Sequence, residues 1–266
     1  MLSEVFRFRP ENPDVTLTSY IADSAPELNH VRRPAIVVFP GGGYQHLSPR
    51  EAEPVAMQFF AAGFQAFVLR YSVGENAKFP NALVDASMAV AHVRMNADRY
   101  NIDPERIFVV GFSAGGHLAA TLGTMYDSPY AAFDGMPAGA NRPSGMILSY
   151  APTSVRTEKI ANSFTRTLQM EREALEQYSP ENLVTANTPP AYIWHTATDP
   201  VVPVEHAIYM ASALAAAGVS FEAHIFPKGP HGIALATAQT CNAREDYIVP
   251  DAAQWVSEAI EWANRL

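Results

Sequence analysis

I-F-V-V-G-F-S-A-G-G-H-L-A-A, Ile107 to Ala120, decides the fold. Its first four residues are apolar and β-prone, as in a strand buried on both faces. Gly111 to Gly115 then reads G-F-S-A-G, and Gly116 to Met125 is rich in small, helix-tolerant residues. Strand, sharp turn and helix in that order make a nucleophile elbow. A serine sits there on a strained turn with its hydroxyl exposed, and glycines on either side remove side chains that would clash with it. Ser113 is therefore the candidate nucleophile. A Gly-rich turn that merely joins strand to helix is the bland alternative.

Outward from this centre, hydrophobic runs alternate in kind. Val15 to Ala22, Ala35 to Phe39, Gln65 to Tyr71, Met146 to Tyr150, Ala191 to Thr196 and Phe221 to Phe226 read as strands. Between them lie helical patterns over Glu51 to Ala62, over Leu83 to Tyr100, after Pro203 up to Gly218, and over Asp251 to Leu266. Such alternation predicts an α/β fold with a mostly parallel sheet and helices on both faces, because parallel neighbours need crossover connections. A chain of 266 residues fits one domain, residues 1–266. The polar, partly helical stretch Val155 to Asn187 reads as a small insertion near the site. The functional residues are expected at the carboxyl ends of the strands.

A serine hydroxyl needs a base. Of eight histidines, His231 in G-P-H-G follows the last expected strand and satisfies the chain order Ser, Asp or Glu, His. His195, His224 and His92 fall within strands or a helix and read as packing or surface residues. His117 reads as structural, His46 as a residue that lines the pocket, and His30 and His206 as solvent-facing. Asp199 in T-A-T-D-P stands just beyond the strand ending at Thr196, where a carboxylate can orient His231 and stabilise its imidazolium. Glu205, Asp246 and Asp251 are less well placed, and a turn-forming Asp before Pro is the bland reading of Asp199.

The oxyanion that develops in acyl transfer needs fixed N–H donors. P-G-G-G-Y, Pro40 to Tyr44, follows a strand and offers Gly42 and Gly43, with Ala114 after the nucleophile completing the set. A phosphate-cradling loop is the rival, but no G-K-[ST] follows and G-x-G-x-x-G is absent. The histidines lack H-E-x-x-H and H-x-H spacing, and cysteine ligands are missing, so no metal site is expected. This chemistry calls for no cofactor.

A net charge of −9 without a basic cluster argues against nucleic-acid and anionic-membrane partners. The single cysteine, Cys241, excludes an intramolecular disulfide. The start M-L-S-E-V-F-R-F-R-P lacks the pattern of a secretory signal, and apolar stretches break before the length of a membrane span, so a cytoplasmic location is expected. Self-association into a homo-oligomer stays open.

With these motifs in place, the sequence resembles the compact microbial carboxylesterases and acetylesterases of the α/β-hydrolase superfamily, related to hormone-sensitive lipase. The likeness spans nearly the whole chain and is carried by F-P-G-G-G-Y with S-P-R-E-A-E-P, G-F-S-A-G-G-H-L-A-A, W-H-T-A-T-D-P-V-V-P and G-P-H-G-I-A-L-A. Relatives of hormone-sensitive lipase usually carry H-G-G-G, whereas Pro40 stands here, as in the compact group. The stretch before Pro34 is too short for their helical cap, so no large cap is expected. The resemblance implies a small-molecule ester substrate with a short acyl group, acetyl above all, on alcohols that include acetylated sugars. Tyr44, His46 and Arg50 are candidates for lining the substrate pocket. Amide and thioester hydrolases share this triad. A prolyl-oligopeptidase-like peptidase needs a further large domain, and a binding protein of this fold would have lost the catalysis.

Overall fold

β-Branched and aromatic residues in the central strands send alternate side chains to opposite faces of one sheet. In β3 (Arg33–Phe39), Val37 and Phe39 join one core while Ile36 and Val38 join the other; in β7 (Ala191–Thr196), Ile193 and the pair Tyr192 and Trp194 divide in the same way. The computed structural model describes residues 1–23, 25, 27 and 32–266. Among them the other strands are β1 (Val5–Arg7), β2 (Thr16–Tyr20), β4 (Gln65–Arg70), β5 (Ile102–Phe112), β6 (Gly145–Ser149) and β8 (Phe221–Phe226). They form one sheet in the order β1-β2-β4-β3-β5-β6-β7-β8. β2 runs antiparallel to β1 and β4, and every other pair is parallel. This is the α/β-hydrolase fold.

Helices α1 (Glu53–Ala61) and α9 (Trp255–Asn264) cover one face, burying Phe59, Trp255 and Trp262. On the other face lie α2 (Asn81–Met95), the single turn α3 (Ala97–Tyr100), α4 (Ala114–Met125) and α8 (Glu205–Ala216). The insertion 155–187 holds three short helices, α5 (Glu158–Leu168), α6 (Arg172–Gln177) and α7 (Pro180–Leu183). Their apolar residues Phe164, Leu168 and Leu175 join the core on the α4 side. Among the described residues there is no large cap beyond these three helices, and no helix is long and apolar enough to cross a membrane.

The structure departs from the sequence reading in several places. β1 was not expected; three residues are too few to show an alternation, and its pairing with β2 makes it a strand. The helix expected over Leu83 to Tyr100 breaks at Asn96, whose side-chain amide donates to the carbonyl of His92 at 2.8 Å and so ends the turn. β5 begins at Ile102, five residues before the apolar run at Ile107. The terminal helix opens with a 3-10 turn, Ala252–Gln254.

Candidate active site

Ser113 directly follows β5 and stands at the N-cap of α4 with φ +50° and ψ −119°. A non-glycine residue in such a conformation costs on the order of 1–3 kcal/mol and persists only where its surroundings impose it. Here the Ser113 N–H donates to the carbonyl of Ser149 at 3.0 Å, and its own carbonyl accepts from His117 N at 2.9 Å. The flanking glycines have no room for a side chain. A methyl at Gly111 would overlap the carbonyl of Gly115, and one at Gly115 would overlap the carbonyl of Phe39. The turn thus presses the nucleophile loop against the end of β3, from which the glycine-rich loop departs.

His231 lies on the loop after β8, and its Nε2 is 2.8 Å from Ser113 Oγ. Its Nδ1 is 2.7 Å from Asp199 Oδ2. Ser113 and His231 are half-buried and reach solvent, whereas Asp199 is buried. Asp199 Oδ1 accepts from the N–H groups of Val201 at 2.8 Å and Val202 at 3.0 Å. Burial alone would raise this carboxyl's pKa. The hydrogen bonds of His195, His231 and Val201 outweigh it and hold the group well below the usual carboxylate range. Thr196 and Thr198 tie the aspartate and histidine segments together: Thr196 Oγ1 donates to Gly229 O at 2.7 Å, and Thr198 Oγ1 accepts from Gly229 N at 3.0 Å.

The glycine-rich loop turns at Gly42 to Gln45, where the Gly42 carbonyl accepts from Gln45 N at 3.0 Å. Both central residues, Gly43 at φ +62° and Tyr44 at +60°, are left-handed, as a type I′ turn requires. Gly42 itself has φ +134° and lies against the backbone of His46, so it admits no side chain. Ala114 is the first residue of α4, where an N–H has no acceptor within the helix.

The structure distributes the remaining candidates differently. His46 is exposed beside the glycine turn. Tyr44, expected to line the pocket, is 2% exposed. Its hydroxyl pairs with His117 Nδ1 at 2.7 Å, and its ring packs on Tyr71 and Phe164. Arg50 spends its guanidinium on the carbonyls of Gly232 at 2.7 Å and Thr240 at 3.3 Å, and stacks on Tyr247.

His206, expected to face solvent, is buried under the insertion, since α8 turns that face toward the start of the insertion segment. Its Nδ1 accepts from Ser154 N at 3.2 Å. His30 lies outside the described residues. His195, read from the sequence as a packing or surface residue, is buried with Nε2 at 2.9 Å from the carbonyl of Val202 and 3.5 Å from Asp199 Oδ2. Its place four residues before Asp199 was the available signal.

Two of these buried histidines give the fold a pH dependence. Burial, reinforced by His195, pushes His206 down to about 4; burial, reinforced by His206, pushes His117 down to about 3. Unfolding returns both to an ordinary value of about 6.5. The unfolded chain therefore binds more protons than the folded one once the pH drops below about 6.5. The stability present above that value is lost as the pH falls toward 4, and His206 contributes on the order of 2–3 kcal/mol of the loss. His206→Gln should lower Tm at pH 7.5 yet flatten its decline between pH 6.5 and 4. A decline as steep as the wild type's would show that His206 does not carry it.

Comparisons with known proteins show the family to which the chain belongs. The BD-FAE family model matches residues 24–214. The chain is 39% identical over 215 residues to endo-1,4-beta-xylanase B of Butyrivibrio fibrisolvens, covering 77% of this chain and 33% of that protein. It is 32% identical over 213 residues to an acetylxylan esterase of Xylanibacter ruminicola, covering 76% of this chain and 42% of that one. The chain thus spans a third to two fifths of the length of these curated relatives. Among solved structures, the acetyl ester-xyloside bifunctional hydrolase of Caldicellulosiruptor lactoaceticus superposes with a TM-score of 0.80 at 36% identity, over 97% of this chain and 90% of that one.

Proposed function

Because the chain belongs to the BD-FAE family of α/β-hydrolases, we propose that it is a serine carboxylic-ester hydrolase acting on short acyl esters, acetylated sugars among them. The observation that carries this reading is the unbroken contact series from Ser113 Oγ through His231 to the buried Asp199, at 2.8 and 2.7 Å, on a strained turn open to solvent.

Ser113 Oγ attacks the ester carbonyl while His231 Nε2 takes its proton. Asp199 holds the proton on His231 Nδ1 and so leaves Nε2 free to accept. The N–H groups of Gly42, Gly43 and Ala114 stabilise the oxyanion of the tetrahedral intermediate. His231 then gives its proton to the departing alcohol. An acyl-enzyme remains on Ser113, and water activated by the same histidine releases the acid. The acetyl and xylan chemistry in the names of the relatives supports short acyl groups on a sugar.

Hydrolysis of p-nitrophenyl esters from acetyl to long chains tests the proposal. Activity should be highest on acetyl and fall steadily with chain length. Absence of hydrolysis on every ester would contradict it and direct attention to amide or thioester substrates.

A further inference from the structure

Among the buried carboxyls that the mechanism above leaves unused, Glu51 is bonded to the glycine-rich loop. Glu51, 3% exposed, ends the 3-10 turn Pro49–Glu51 and is bonded at both oxygens. Oε2 accepts from the Gly41 N–H at 2.9 Å, and Oε1 accepts from the Tyr150 hydroxyl at 2.7 Å. The same hydroxyl accepts from Ala234 N at 3.0 Å. These bonds form a continuous path from the glycine-rich loop, through Glu51 and Tyr150, to the loop that carries His231.

Both ends of the path need an external restraint. Gly41 lies directly against the nucleophile: a Cβ there would meet Phe112 O at 2.7 Å and Ser113 Cβ at 3.1 Å. A small displacement of Gly41 therefore moves the N–H groups of Gly42 and Gly43 relative to Ser113. Around His231 the loop holds Gly229, Gly232, Ala234 and Ala236 at positive φ, a conformation that cannot satisfy its own backbone in a helix or sheet ladder. Three of its polar groups are met from outside, Ala234 N by Tyr150, Ala234 O by Trp255 Nε1 and Gly232 O by Arg50. The Tyr150 ring also lies 5.0 Å from that of His231 in a T-shaped contact.

We propose that Glu51 is a positioning residue for the reaction, setting the oxyanion loop through Gly41 and registering it against the His231 loop through Tyr150. The inference rests on the serine-esterase reading. Its effect belongs to kcat, because donors aimed at the oxyanion are used in the transition state and little in the ground state.

Three variants assayed on p-nitrophenyl acetate, with Tm measured alongside, test it. Glu51→Leu removes both acceptors at similar volume and should lower kcat about 100-fold, comparable to losing one oxyanion donor, with KM changed less than about threefold. Glu51→Gln keeps one carbonyl acceptor for Gly41 and should stay within about tenfold of the wild type in kcat. Tyr150→Phe cuts the same path at its other end, leaving Ala234 N unpaired while Gly41 keeps its acceptor, and should lower Tm and reduce kcat about tenfold, less than Glu51→Leu does.

A kcat for Glu51→Leu within threefold of the wild type, or a kcat for Glu51→Gln no higher than that of Glu51→Leu, would overturn the proposal. Should Glu51→Leu not fold, Tyr150→Phe reads the same two quantities, and a kcat within threefold of the wild type there overturns it. Failure of both to fold would assign Glu51 to the core and overturn the proposal as well. An inactive wild type refutes the esterase reading; an active wild type matched by Glu51→Leu refutes only the role of Glu51.

Discussion

Ser113→Ala should lower kcat on p-nitrophenyl acetate by at least about 10⁴-fold without lowering Tm. The hydroxyl makes one side-chain hydrogen bond, to His231 Nε2, and alanine meets the same constraint at φ +50° as serine does. Nothing in the elbow depends on Oγ for its shape. The glycines at 111 and 115 and the backbone bond from Ser113 N to Ser149 O stay in place. Large loss of rate at constant Tm therefore separates a chemical role from a structural one. Parallel measurement of kcat, KM and Tm decides the matter, and a variant retaining a tenth of the activity would move the nucleophile elsewhere.

Asp199→Asn should cost about 10³ to 10⁴-fold in kcat, and the direction follows from which atoms are already committed. Oδ1 accepts from the N–H groups of Val201 and Val202, so the asparagine carbonyl must take that position. The amide NH₂ is then forced toward His231 Nδ1, where Asp199 Oδ2 had accepted. Facing a donor, Nδ1 becomes the acceptor and the ring proton moves to Nε2, which can no longer take the proton of Ser113. The fold should hold, since the backbone caps survive. Loss of less than tenfold would show that Asp199 does not set the tautomer.

The chain displayed most of its architecture in its hydrophobic runs. β7 and β8 have the bounds their apolar segments suggest, and the α/β class follows from the alternation of strand and helix. What escaped was whatever depends on partners far away in sequence. β1 exists because β2 pairs with it, and the break at Asn96 depends on a side-chain bond to His92 O that a periodic pattern cannot register.

The same division holds at the site. Ser113, Asp199 and His231 sit at strand ends in a fixed chain order, so motif and position pointed to them, and the structure brings them within hydrogen-bond distance. Tyr44, Arg50, His195 and Glu51 take their roles from burial and from contacts across as many as 190 residues of chain. No local spacing encodes those. Tyr44, within the glycine turn, and Arg50, a few residues after it in the chain, were legible as near the site but not as parts of its support.

The central claim is that Ser113 carries the acyl group, and trapping it is the most direct measurement. Wild type and Ser113→Ala are treated with a serine-reactive phosphonate and compared by intact mass and peptide mapping. The account predicts one adduct per chain on the wild type, located at Ser113, with hydrolysis of p-nitrophenyl acetate abolished in step, and none on the variant. An adduct on another residue, or full ester hydrolysis by a wild type that takes no label, would contradict it.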